Sequence, residues 1–155
     1  MKRIISFLVL AVFILGTGTL CGCSKDSIIG MFNSIVMSLG DNSLTKNEDL
    51  HGTRTFGKDT YTGSYDLICE DASFRERLFG NTSVEREDGY TLHITADFDG
   101  SEGSAALYLK EGFQDEEKLF SGPGIHDEEI EIGPGSDYFI LETDHFTGNI
   151  TLVIE

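Results

Sequence analysis

The sequence predicts an all-β protein: an antiparallel β-sandwich or jelly-roll-like domain, preceded by a signal peptide and one short helix. Three observations carry this reading. From His51 onward apolar residues recur with period two, clusters of Gly, Pro, Asp and Ser interrupt the runs, and one stretch alone has helical spacing. Many short strands with such punctuation and little helix are the pattern of a sandwich or a jelly roll.

The chain opens on Met1, Lys2 and Arg3 and continues from Ile4 to Leu15 with Ser6 as the only polar interruption. A basic start before a short apolar run is the layout of a secretory signal peptide. As a helix that run covers about 18 Å at about 1.5 Å per residue, short of a hydrocarbon layer about 30 Å thick. An uncleaved anchor reaching Leu20 is the alternative, weakened by Gly16, Thr17, Gly18 and Thr19.

The run ends in Leu20, Cys21, Gly22, Cys23. These four residues resemble the lipobox of bacterial lipoproteins, in which a large aliphatic residue stands three before the modified cysteine and a small one just before it. Leu20 and Gly22 fill those places for Cys23, whereas on Cys21 the pattern fails because bulky Leu20 precedes it. The resemblance implies that residues 1–22 are removed. It also implies that Cys23 takes a diacylglycerol on its sulfur, and that the protein sits on the extracytoplasmic face of the cell membrane. Two acyl chains anchor stably where one is marginal. The competing reading makes Cys21 and Cys23 ordinary residues or a vicinal redox pair, although redox pairs usually have the C-x-x-C spacing.

Residues 23–50 form the next segment. Ile28, Phe32, Ile35 and Leu39 recur at helical spacing, flanked by Met31 and Val36, which predicts one short amphipathic helix over Ser27–Leu39. Its stripe can pack on the folded domain or lie in the membrane interface. Interfacial helices usually carry Lys or Arg on the polar face, and "SIIGMFNSIVMSLG" has none, so packing or a loose stalk is the expected arrangement. "GDNSLTKNED" then reads as a polar connector.

Residues 51–155 make the sandwich domain. In "GYTLHITADFDG" the residues Tyr90, Leu92, Ile94, Ala96 and Phe98 face one way, and Thr91, His93, Thr95 and Asp97 the other. Shorter runs recur at "GTRTF", "TYTGSYDLICE", "TSVER", "AALYLKE", "EEIEIG", "DYFILET" and "NITLVIE", with turns expected at "DGSEG", "SGPG", "GPGSD" and "TGN". The stretch from "TFGKDTYTGSYDLICE" to "NITLVIE" is similar to sandwich domains of uncharacterised Gram-positive lipoproteins. Its last part is similar to the closing hairpin of pre-peptidase C-terminal and jelly-roll modules. The resemblance rests on turns and core aromatics, and it carries over no active site.

Lys and Arg number 11 against 27 Asp and Glu, a net charge of −16, and cleavage before Cys23 would also remove Lys2 and Arg3. Nucleic-acid phosphates and anionic headgroups repel such a body, so no nucleic-acid partner is expected. Attraction for cations or basic partners and plain solubility are the two readings of the charge. Cys69 is the one unmodified cysteine left, so no intramolecular disulfide is available. In "YDLICED" it reads as a small buried hydrophobe, with Glu70 and Asp71 disfavouring a thiolate.

Asp97, Asp99 and Glu102 in "DFDGSEG" offer hard oxygen ligands on a Gly-rich loop, a candidate calcium site, although Gly100 comes too early for an EF-hand. A solvated hairpin turn is the simpler reading. His51, His93, His126 and His145 show no zinc-ligand spacing. No nucleophile elbow, phosphate loop or metalloprotease motif is present, so no enzymatic activity is expected. Tyr61, Tyr65, Tyr90, Tyr108 and Tyr138 could offer stacking faces to sugars. Tyr65 and Tyr90 fall in the inward phase, whereas Tyr108 alternates with Leu107 and Leu109 and is the candidate ligand contact. The resulting expectation is a membrane-anchored cell-envelope lipoprotein that binds an envelope protein or a glycan without catalysis. A calcium-stabilised structural or adhesion module is the alternative, and an envelope hydrolase ranks third.

Overall fold

The computed structural model describes residues 25–40, 43–83 and 85–155. The signal peptide, the motif at 20–23 and the lipidation candidate Cys23 lie outside them. Helix α1 (Lys25–Gly40) is followed by a 3-10 turn (Asn47–Asp49) and six strands: β1 (Thr53–Phe56), β2 (Gly63–Ser83), β3 (Thr91–Glu111), β4 (Glu117–Ser121), β5 (Gly124–Glu131) and β6 (Gly135–Ile154).

The helix forms where its periodicity places it. Its apolar side chains Ile28, Met31, Phe32 and Ile35 are 51, 64, 57 and 54% exposed. Helical spacing records which side chains share a side, and it is silent about what that side meets. Among the described residues no helix is long and apolar enough to cross a membrane.

All strand pairs are antiparallel, in the order β1-β2-β6-β3-β4 with β5 also paired to β3. The fold rests on the length of β2, β3 and β6, which run for 21, 21 and 20 residues, against about 5–6 for an ordinary strand. Each bends midway, at one shared level. Cys69 and Gly100 both stand opposite Gly148, and the β2–β6 and β3–β6 registers slip just beyond. Asp71 and His145 take φ of 49° there and Gly103 takes 74°. The His145 ring pairs with Asp71 at 2.6 Å, and the His145 amide donates to Ser73 Oγ at 2.8 Å. Bulges of this kind let strands pass from one sheet into another.

Two expected turns are thereby corrected. "DGSEG" lies within β3 and "TGN" within β6, and both mark the corner rather than a hairpin. Gly100 and Gly148 are there for close approach: an added Cβ would lie 2.2 Å from the Phe146 ring in the first case and 2.2 Å from the Asp99 carbonyl in the second. "SGPG" does connect β4 to β5, and "GPGSD" leads from β5 into β6.

Before the corner lies a first sheet, β1-β2-β6-β3-β5; beyond it lies a second, β2-β6-β3-β4. Their inner faces share one core, to which β3 gives Leu92, Ile94, Ala96, Phe98 and Leu107, and β6 gives Phe139, Leu141, Ile150, Leu152 and Ile154. Phe56 meets Phe79 edge to face at 6.0 Å, and His126 stacks on Phe120 at 5.3 Å. Cys69 packs at the edge of this core with burial raising its thiol pKa.

Two further segments depart from the sequence reading. Residues 71–81, unassigned above, complete β2. The connector contributes Leu44, which packs on Tyr138 and Ile140 at the outer face of the second sheet, and Thr45, whose amide bonds the Arg77 carbonyl at 3.1 Å.

Candidate functional site

Strand register sets out the outer face of the first sheet. Asp66, Thr151 and Asp97 stand side by side on β2, β6 and β3, with Ile68, Asn149 and Asp99 in the next row. These six side chains line a depression of about 620 Å³ together with His51 and Thr53. Two residues further along the strands Thr55, Ser64 and Val153 line a second depression of about 590 Å³, which ends at Phe56, Lys58 and Arg86. The two share a face and continue one another as a trough of hydroxyl, amide and carboxylate groups. Apolar side chains share it with these polar groups, among them Ile68 at 86% and Phe56 at 39% exposed.

Asp97 and Asp99 thus share a side, as alternation predicts. Glu102 does not join them, because a register slip separates it from Asp99 and it stands at the corner opposite Thr147. Among the described residues no three His, Cys, Asp or Glu side chains gather tightly enough to hold a metal ion. The carboxylate that accompanies Asp97 and Asp99 in the trough is Asp66 instead.

A buried polar group props up one wall. Glu76 is 3% exposed, and a carboxylate there is tolerated only with its lone pairs satisfied. The His51 amide and Nδ1 approach Oε1 at 2.8 and 2.6 Å, and the Tyr65 hydroxyl donates to Oε2 at 2.9 Å. Burial and the neighbouring Glu76 raise the Tyr65 pKa, so its proton stays on the phenol. Gly52 allows the chain to cross here, since a Cβ would meet the Asp66 carbonyl at 2.5 Å and the Tyr65 ring at 2.6 Å. His51 also stacks on Phe74 at 4.2 Å. The sequence signal for Glu76 was the alternation Phe74, Glu76, Leu78, which puts a charge in an apolar phase.

The other histidines are also held. His93 pairs with Asp127 at 2.8 Å, His126 bonds the Gly122 carbonyl at 3.0 Å, and the Asp71 bond raises the His145 pKa.

Tyr108 points outward from the second sheet, as its alternation predicts. Arg75 and Lys118 lie over its ring at 5.2 and 5.4 Å, and Arg75 also pairs with Glu116 and Glu142. Arg77 lies over Tyr138 at 5.4 Å. A stacking sugar would have to displace these cations. Tyr61 and Tyr65 are core residues, and Tyr90 packs at the core margin.

No protein-family profile matches the chain, and no curated protein sequence matches it. Among solved structures it is similar to BiXyn10A CBM1 in the apo state, at 10% identity and TM-score 0.37 over 68% of this chain and 86% of that one. It is similar to CBM29-2, a family 29 carbohydrate binding module, at 10% identity and TM-score 0.37 over 68% and 76%. It is also similar to Drosophila melanogaster CENP-C bound to CAL1, at 11% identity and TM-score 0.37 over 84% and 98%. These are likenesses of β architecture, and they extend to no site residue.

Proposed function

We propose that this protein is an extracytoplasmic binding module, held to the cell membrane through a lipid on Cys23, that takes a neutral or amino-sugar glycan in the trough of its first sheet. The observation that carries the proposal is the lining: Asp66, Asp97, Asp99, Asn149 and Thr151 present acceptors and donors from three adjacent strands. Vicinal hydroxyls bond well to such groups, and central strands hold them in fixed positions. The charge sets the class of sugar, because an acidic trough attracts ammonium groups, accepts neutral rings and repels phosphate or uronate polymers. The role is one of binding, with envelope proteins as the competing ligand class.

Attachment is supported by the lipobox resemblance at Leu20–Cys23 and by the exposed stripe of α1, which would lie beside the acylated residue. Metabolic labelling with a fatty acid tests it: the label should enter the wild-type protein and be absent from Cys23→Ser. For the ligand, the full chain in detergent should melt higher with neutral or amino-sugar oligomers, and remain unmoved by polyuronates. Asp66→Asn combined with Asp97→Asn should abolish that rise. A shift that survives the double variant, or one produced only by polyuronates, overturns the assignment of the trough.

A further inference from the structure

Away from the trough lies an acidic pair, Asp137 buried in the sandwich and Glu111 half-buried beside it in register. Asn81, Asp137 and Glu111 stand in one row on β2, β6 and β3, near the end of the second sheet. Asp137 is only 3% exposed, and its Oδ2 is enclosed without a hydrogen-bond partner among the described residues. Nearby donors are engaged elsewhere: the Asn81 amide donates to Thr60 Oγ1 at 2.9 Å, and the Ser83 hydroxyl pairs with that of Tyr61 at 3.1 Å. Burial pushes the Asp137 carboxyl up to about 6, and the charge of Glu111 adds to the effect. Tyr61 is pushed up to about 12, chiefly by burial and in part by Asp137 and Asp59, so it stays a neutral phenol.

A buried carboxylate without a donor is among the costliest arrangements in a fold, and a second carboxylate beside it makes ionisation worse. A hard cation between the two reverses both penalties. We propose that Asp137 and Glu111 hold a divalent cation, calcium being the best fit, at this end of the sandwich. No third acidic, His or Cys side chain joins them among the described residues. The shell is therefore completed by neutral oxygens, from hydroxyls, carbonyls and water. Calcium accepts about 6–8 oxygens in irregular geometry, whereas magnesium demands a near-ideal octahedron.

The test is independent of the glycan. Full-length protein in detergent is stripped with chelator and then melted with calcium or magnesium near neutral pH. At a hundredfold excess over Kd, calcium should raise Tm by roughly 5–10 °C. Asp137→Asn and Glu111→Gln should lose that rise, and Asp97→Asn should keep it. Without metal, Asp137→Asn should melt above the wild type, because it removes a buried charge. Terbium serves as a second readout: the chain has no Trp, so emission sensitised by neighbouring Tyr61 should appear in the wild type and vanish in Glu111→Gln. Indifference of the wild type to calcium, or a rise unchanged in both variants, overturns the site.

Discussion

The two outer faces of the sandwich come from the same three long strands, yet their chemistry is opposite. On the first sheet the outward side chains include Asp66, Asp97 and Asp99, with Asp127, Glu129 and Glu131 of β5 continuing the face. On the second they include Arg75, Arg77, Lys110 and Lys118. A net charge of −16 therefore describes neither surface. The cationic face is also occupied from within, because its rings lie under guanidinium and ammonium groups and Leu44 covers Tyr138 and Ile140. Among the described residues the acidic face carries lighter pairing, His93 with Asp127 and the Thr151 hydroxyl with Asp66. One surface is spent on holding the molecule together, while the other presents its polar groups outward.

That division depends on the corner, so the most damaging change should fall there. At Gly148 φ is 152° and a Cβ would lie 2.2 Å from the Asp99 carbonyl, with backbone on both sides. Gly148→Ala should cost about 4 kcal/mol or more, or prevent folding. Gly122, in the turn after β4, has φ of 85° with nothing within 4 Å, and its alanine variant should lose about 1 kcal/mol. Urea unfolding of the pair separates a clash in a crowded corner from strain in an open turn. Equal losses would mean that the strands do not bend at Gly148.

Next in size is the prop beneath the trough. His51→Ala withdraws the Nδ1 contact from Glu76 and the stacked ring from Phe74, at about 3 kcal/mol after allowing for the exposed side of the imidazole. Replacing Glu76 by Gln keeps an acceptor within reach of the Tyr65 hydroxyl and the His51 amide while removing the buried carboxylate, and should cost less. Should Glu76→Gln prove the more damaging of the two, the carboxylate rather than the His51 ring would hold this wall.

The same contrast explains what could be read from the chain. The alternation from Leu92 to Phe98 was legible because the inward phase is unbroken and all four inward residues are in the core. Turn chemistry misled at "DGSEG" and "TGN", since a sheet corner and a hairpin ask for the same residues: glycines for close approach and positive φ. Only the register with a distant strand tells them apart. Residues 71–81 were missed because Glu76 and Asn81 occupy core positions that a strand usually fills with apolar residues. Asp97 and Asp99 were placed on one face by period two alone, but Asp66, Asn149 and Thr151 join them through pairings some 50–85 residues apart, which one sequence does not display.

A smaller effect concerns pH. Asp137 has a carboxyl pKa raised to about 6 against an ordinary value of 3.8, so between these values the folded protein binds more protons than the unfolded chain. Stability must then fall as pH rises through that window, and recover as pH is lowered. In chelator the wild type should gain on the order of 2 kcal/mol relative to Asp137→Asn between about pH 7 and pH 4.5. Using the difference between the two proteins cancels the titration of the outer-face carboxylates. A flat difference would show that Asp137 is ionised without penalty.

The smallest effects set the two faces directly against each other. Tyr108→Ala removes the ring that Arg75 and Lys118 cover, and should cost about 1 kcal/mol in stability through lost burial and cation–π attraction. It should leave the glycan response unchanged. Asp97→Ala removes an outward carboxylate from the acidic face, where a substitution usually moves stability by no more than about 0.5 kcal/mol, yet it should weaken glycan binding severalfold. Crossing two assays with two variants is therefore decisive: thermal unfolding should respond to Tyr108 and ligand titration to Asp97. The reverse pattern would move the binding surface to the second sheet, with Arg75 and Lys118 as groups that recognise anions rather than as clamps on a ring.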